Sequence, residues 1–254
     1  MKTAFLITAR LKSTRLPKKI LLEVAGKPLI VHMLDRIKNA MSIDKIIICT
    51  STNPQDDPLE EIAGQEQVSC FRGSEEDVLV RLLEAAQSHG LKYFANITAD
   101  CPMMDPLLID RAVLEYQKAD VDLLKYDDSN ADLPFDCYLI KVSALEKVCQ
   151  QKKETDTEVW LKYFTANADL NILNLDVKDH YRHEILKTSL DYPEDYEFIK
   201  CVFAILHHSG TCFSMIDIID LVNNRPDILS INANAKLTRR WLLHRQTSQK
   251  SIIK

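Results

Sequence analysis

The sequence lacks any apolar run near the roughly 18 residues that a membrane-crossing helix needs. It also lacks an excess of positive charge. A formal net charge of −5 over 254 residues argues against nucleic acid held by bulk electrostatics. None of its seven cysteines stand at C-x-x-C spacing, their number is odd, and Cys49 sits inside the apolar KIIICT. Reduced, buried thiols in a cytoplasmic protein fit that pattern, and a disulfide framework does not. Only a five-residue apolar run precedes Arg10, with no small-residue cleavage site, which is too short for a signal peptide. There is no Walker loop and no G-x-S-x-G elbow. His180 and His183 have no local cysteine or third histidine to complete a zinc site. The Asp120-Val121-Asp122 string opens an apolar run and reads as a chance Asp-x-Asp. Repeats, low-complexity segments and Gly/Ser linkers are also missing, so one domain over 1–235 is expected, with a basic tail at 236–254.

What is present is a 46% hydrophobic chain whose first half alternates short apolar runs with helical stripes. Residues 3–8, 45–50, 67–71 and 93–98 read as buried strands. Leu29, Met33 and Ile37 form one helical face over 27–40, with Pro28 in its first turn. Ser74 reads as an N-cap with Asp77 three residues on, opening a helix that stops at Gly90. Strand–helix alternation at this spacing predicts an α/β fold with a doubly wound, mostly parallel sheet. Further on, helices are expected at 106–118, across most of 143–165 and at 214–223. Strands are expected at 121–126, 136–142, 171–176 and 184–190. Asp191 is the expected cap of a helix with Pro193 near its first turn.

Chemistry concentrates in RLKSTRLPKK, residues 10–19, where five of ten residues are cations. The loop follows the first strand, and parallel sheets bind ligands outside the carboxyl ends of their strands. Converging cations there suit a triphosphate, and Ser13 and Thr14 add hydroxyl donors. The plainer reading of the segment, a solvated charged loop, is the minor one. Asp100 ends the fourth strand in ITADCPMMDP; by itself it is a turn residue. Two strand-end carboxylates beside phosphates make an oxygen-only site for a hard cation that keeps several waters.

The stretch ITARLKSTRLPKKILLEVAGKPLIVHMLDRI resembles the start of cytidylyltransferases of the spore-coat polysaccharide biosynthesis type, relatives of acylneuraminate and 3-deoxy-manno-octulosonate cytidylyltransferases. Arg10, Ser13, Thr14, Arg15, Leu16, Pro17 and Lys19 match the family's R-x-G-S-T-R-L-P-G-K. Lys12 and Lys18 stand where the family has glycine. FRGSEEDVLVRLLEAA, ITADCPMMDP and SLDYPEDYEFI match further family segments, and between 127 and 183 the likeness thins to single matches such as Asp136.

The resemblance implies a nucleotide-diphospho-sugar transferase fold, with a small lobe at about 127–183 for acceptor binding and dimerisation. It implies CMP transfer from CTP to a small anionic acceptor of the 2-keto-3-deoxy sugar acid class, with release of pyrophosphate. It places the nucleotide on Ala9, Arg10, Ser13, Thr14, Arg15, Lys19, Arg72, Gly73 and Ser74. Lys19, Arg10 and Arg15 carry the catalysis, and Asp100 and Asp191 hold Mg²⁺. It further implies a homodimer, without nucleic-acid or membrane partners. Other acceptors or nucleotides, a glycosyltransferase consuming a nucleotide-sugar, and a non-catalytic nucleotide binder remain as rival readings. Only a nucleotidyltransferase releases pyrophosphate.

Overall fold

The structure is a computed structural model, and it describes residues 3–126, 137–177, 179–183, 186–208 and 211–233. Asp136 and the 236–254 tail lie outside the described residues. The chain runs β1 (Thr3–Thr8), β2 (Glu23–Val24), β3 (Lys27–Pro28), α1 (Leu29–Lys38), β4 (Ile43–Ser51), α2 (Asp57–Gln65), β5 (Ser69–Gly73), α3 (Val78–Ser88) and β6 (Tyr93–Thr98). It continues through α4 (Pro106–Lys118), β7 (Leu123–Tyr126), β8 (Tyr138–Lys141), α5 (Val142–Gln151), α6 (Leu161–Thr165), β9 (Ile172–Leu175), α7 (Pro193–Leu206), α8 (Met215–Asn224) and α9 (Pro226–Leu229).

Seven strands form one sheet in the order β5-β4-β1-β6-β8-β7-β9. The β1–β4, β1–β6, β4–β5 and β7–β9 pairs are parallel, and β8 runs antiparallel to both neighbours. The expected α/β, mostly parallel, doubly wound sheet is therefore present. Strand β1 is apolar at consecutive positions because both its faces are covered. Phe5 and Ile7 join a core with α1, α2, α4, α7 and α8, while Ala4 and Leu6 join a second core with α3, α5 and α6. No described helix is long and apolar enough to cross a membrane.

The winding places the site. From β1 the chain steps outward to β4 and β5, then returns through α3 to β6 on the other side of β1. The carboxyl ends of β1 and β6, paired at Thr8 and Thr98, thus flank the point where the strand order reverses.

Several local expectations are corrected. Residues 27–28 do not begin α1; they pair with 23–24 in a small hairpin whose turn uses Ala25 and Gly26 at φ 48° and 80°, and Pro28 caps the helix from outside. The 143–165 helix is broken into α5 and α6, and 186–190 form no strand, residues 184–185 lying outside the described set. The helix after Ser74 starts at Val78, with Asp77 as its cap; Ser74 Oγ instead accepts from Asp77 N at 3.0 Å in the turn before it. Asp191 does not cap α7. Asp195 accepts the backbone N–H groups of Asp191 and Tyr192, both at 2.9 Å, which leaves the Asp191 side chain free to face the sheet's carboxyl edge.

Tertiary contacts decide the Asp77 case. Its Oδ1 caps Val80 N at 3.1 Å and accepts from Thr157 Oγ1 at 2.9 Å, while its Oδ2 pairs with Lys152. Thr157 is fully buried, and its N donates to Glu76 O at 3.2 Å. One carboxylate thereby starts α3 and fastens the irregular 152–160 strap to the 74–77 turn. The Lys152 and Asp77 side chains are only 7% and 10% exposed, so Asp77→Ala strands a buried ammonium and should cost about 3 kcal/mol or more in urea unfolding. Adding Lys152→Met should recover much of that loss, leaving a cap deficit of about 1 kcal/mol.

Candidate functional site

A cleft of about 280 Å³ opens at the carboxyl ends of β1 and β6. Thr8, Thr98 and Ala99 form its floor, and the basic loop supplies Arg10, Lys12, Ser13, Thr14, Arg15 and Lys19. The loop is set at its stem by buried Asp56, whose Oδ1 accepts Leu11 N at 2.7 Å. Arg10 then reaches across to Glu75 O at 2.7 Å and pairs with Glu158 at 3.3 Å. Lys18 sits at φ 53°, the left-handed conformation that the glycine of the resembling motif adopts without strain.

The loop's far end carries the central contact. Lys19 Nζ lies 2.8 Å from Asp100 Oδ2, 2.6 Å from Leu190 O and 3.3 Å from Asp191 Oδ1. Backbone pairing makes this convergence possible, because Leu190 N donates to Asp100 O at 2.8 Å and docks the 190–191 segment against the end of β6. Asp191 is held by three cations: Lys19, Arg15 at 3.2 Å and Lys187 at 3.4 Å. Lys187 is itself fixed in the interior by Asp195 and by Ser189 O at 2.9 Å. Arg15 also donates to Tyr192 Oη at 3.2 Å and lies over that ring.

Burial alone would lift the Asp191 carboxyl, but Lys19, Lys187 and Arg15 outweigh it and hold it below the ordinary carboxylate range. Burial likewise opposes the charge of Lys19, and the Asp100 and Asp191 carboxylates reverse that effect and hold the ammonium above its usual value. Both groups are therefore fully ionised near neutral pH.

The structure separates the sequence-nominated residues. Arg10, Ser13, Thr14, Arg15, Lys19, Asp100 and Asp191 line one cleft, and Ala9 is buried behind it. Arg72, Gly73 and Ser74 are not among its lining residues. Arg72 is drawn instead to Asp57 at 2.6 Å, Glu60 at 2.9 Å and the carbonyls of Ser51 and Asn53. Lys12 lines the cleft but pairs with Glu75 and Glu76, and Lys18 does not line it.

Sequence reasoning missed Thr8, Ile20, Glu76, Val78, Thr98, Glu158 and Trp160, which also line the cleft. Glu158 and Trp160 carry no local signal. They arrive from the strap that Asp77 pins in place, with Trp160 wedged edge-on against Tyr138 and Phe164 at 4.9 and 5.6 Å. Lys187 was missed for the same reason, since its role depends on Asp191 and Asp195 meeting it in space.

Converging cations, two carboxylates and a strand-order reversal are the apparatus of a nucleotidyltransferase of the nucleotide-diphospho-sugar transferase type. The sequence profile described as Cytidylyltransferase matches residues 4–202, and the chain belongs to that family. It is 27% identical over 236 residues to the spore coat polysaccharide biosynthesis protein SpsF of Bacillus subtilis, covering 88% of this chain and 95% of that protein. It is 36% identical over 132 residues to the 3-deoxy-manno-octulosonate cytidylyltransferase of Brucella suis, covering 48% of this chain and 49% of the enzyme. Among solved structures, a cytidylyltransferase from Leptospira borgpetersenii superposes with a TM-score of 0.81 at 26% identity, over 90% of this chain and 97% of that one.

The depressed Asp191 carboxyl gives a pH test. A folded pKa below the unfolded value of about 3.9 contributes stability that is fully present above pH about 4 and lost as pH falls through the folded value. The stability gap between wild type and Asp191→Asn should therefore be flat from about pH 5 to 8 and shrink below about pH 4. Urea unfolding at stepped pH reads it, and a gap that narrows already between pH about 8 and 5 contradicts the assignment.

Proposed function

We propose that the protein transfers CMP from CTP to a sugar acid of the 2-keto-3-deoxy class, with release of pyrophosphate, for surface polysaccharide or glycoconjugate synthesis in the cytoplasm. The observation that carries this reading is the triad of Lys19, Asp100 and Asp191 facing the cation loop at the strand-order reversal. An oxygen of the acceptor attacks the α-phosphorus in line, and the bond to the pyrophosphate oxygen breaks. Arg10, Arg15 and Lys19 hold the phosphates and stabilise charge gathering on the leaving group. Catalysis is positioning plus charge stabilisation, without a covalent enzyme intermediate.

The donor set fits a magnesium ion that arrives with its nucleotide. Around Lys19 Nζ the acceptors are all oxygens, from two carboxylates and one carbonyl. No cluster of three or more His, Cys, Asp or Glu capable of holding a metal occurs among the described residues, so phosphate oxygens and waters would complete the shell. Asp100 and Asp191 are the residues that would hold the ion, and the chemistry it supplies is charge neutralisation and acidification of the attacking hydroxyl.

A second reading, CMP transfer to a different polar acceptor, draws on the strap wall. Glu76 and Glu158 face the cleft there, and such a wall suits hydroxyl or amino groups better than a carboxylate. We assign the nucleotidyltransferase unit to 1–235, with 127–183 as the acceptor and dimerisation segment of a two-fold homodimer. Exposed Val159, 74% accessible in the strap, fits such a contact. Light scattering at micromolar concentration should give twice the monomer mass, and a monomer counts against the assignment.

CTP with Mg²⁺ should raise the melting temperature more than ATP, GTP or UTP, because a ligand bound only by the native state stabilises it. Equal shifts for all four remove the cytidine assignment. In a pyrophosphate assay across sugar acids and phosphorylated acceptors, Asp100→Ala and Asp191→Ala should each lower kcat by about 100-fold or more. Since Asp191 caps no helix, Asp191→Ala should stay folded, and full activity in either variant would place the metal elsewhere.

A further inference from the structure

The site that would hold the metal is already filled by a cation of the chain itself. The Lys19 ammonium lies within 2.6–3.3 Å of Asp100 Oδ2, Leu190 O and Asp191 Oδ1, an all-oxygen shell of the kind a hard metal ion seeks. Its side chain is only 14% exposed, and those three oxygens are its hydrogen-bond acceptors. Asp191 keeps Arg15 and Lys187 as further partners, whereas the ion pair of Asp100 is with Lys19. Asp100 is otherwise touched by the Thr98 hydroxyl and by the Cys101 thiol at 3.9 Å.

We propose that Lys19 is an internal lock on the metal site, excluding a divalent cation from Asp100 and Asp191 until a triphosphate draws the ammonium away. This rests on the reading of Asp100 and Asp191 as the metal carboxylates. Two cations cannot share one pair of carboxylate oxygens at these distances without strong repulsion. For the metal to enter, the ammonium must leave, and it leaves only when other anionic acceptors come within its reach. The triphosphate brings those acceptors to the basic loop from which Lys19 springs. A lysine suits the exchange, being a point charge on a flexible stem, where a planar guanidinium would be fixed by its fork.

The consequence is a coupling between ligands. Nucleotide binding raises metal affinity, and by reciprocity metal raises nucleotide affinity. The enzyme free of nucleotide ignores ambient divalent ions and acquires its metal together with its substrate. Lys19 then serves twice: as the lock in the resting protein and as a phosphate ligand in the loaded one.

The test is metal binding in the absence of nucleotide, followed by Mn²⁺ electron paramagnetic resonance titration of the full chain. Lys19→Gln should bind Mn²⁺ at least about tenfold tighter than wild type, a difference of about 1.4 kcal/mol. Adding Asp100→Asn to Lys19→Gln should abolish the gain. Lys19→Met provides the same comparison if the glutamine variant fails to fold by circular dichroism. Equal Mn²⁺ affinity in wild type and Lys19→Gln, lost in both on Asp100→Asn, overturns the lock and leaves the carboxylate site standing. If Asp100→Asn and Asp191→Asn change Mn²⁺ binding neither without nucleotide nor in the ternary complex with CTP, read by water-proton relaxation, then the metal reading itself fails and the lock with it.

Discussion

The contact between the Lys19 ammonium, the two carboxylates and the Leu190 carbonyl is what the rest of the site is arranged around. It joins three chain segments far apart in sequence: the end of the basic loop, the turn after β6 and the approach to α7. Each is brought there by separate backbone work. Asp56 fixes where the loop leaves β1, the Leu190–Asp100 backbone bond docks the third segment, and Asp195 takes over the capping duty that would otherwise occupy Asp191. Charge balance follows from the same geometry, since three cations surround Asp191 and keep it ionised despite burial.

A second hub supports the opposite wall. The 74–77 turn offers its carbonyls to Arg10 and to the buried Arg81, and its Asp77 receives the strap through Thr157 and Lys152. Loop-borne and strap-borne residues therefore meet on one short turn. Arg10 bridges the two by touching Glu75 O and Glu158. Arg72, nominated by resemblance, lies outside the residues that line the cleft. Its guanidinium is paired with Asp57 and Glu60 on α2.

The sheet was legible because β1, β4 and β6 are buried on both faces, and burial on both faces writes itself as a continuous apolar run. The basic loop was legible for a related reason: cations crowded after a first strand have few structural uses. Helix starts were less so. Ser74 and Asp191 both have the residue type of a cap, and in each case a neighbouring carboxylate, Asp77 or Asp195, does the capping. Local sequence offers several competent caps within one turn, and only packing chooses among them.

By itself the sequence determined the fold class and the strand-end loop, which rest on periodicity, residue type and order along the chain, while the pairing of Asp100 with Asp191 was what the family resemblance implied. Tertiary structure decided which of the nominated residues share a cleft, that Glu158 and Trp160 join them, and that Lys19 stands between the carboxylates. Those outcomes depend on contacts across 65 to 172 residues of separation, from Arg10 against Glu75 to Lys19 against Asp191. Periodicity reports which face of an element is buried; it holds no record of which distant charge will be folded against it.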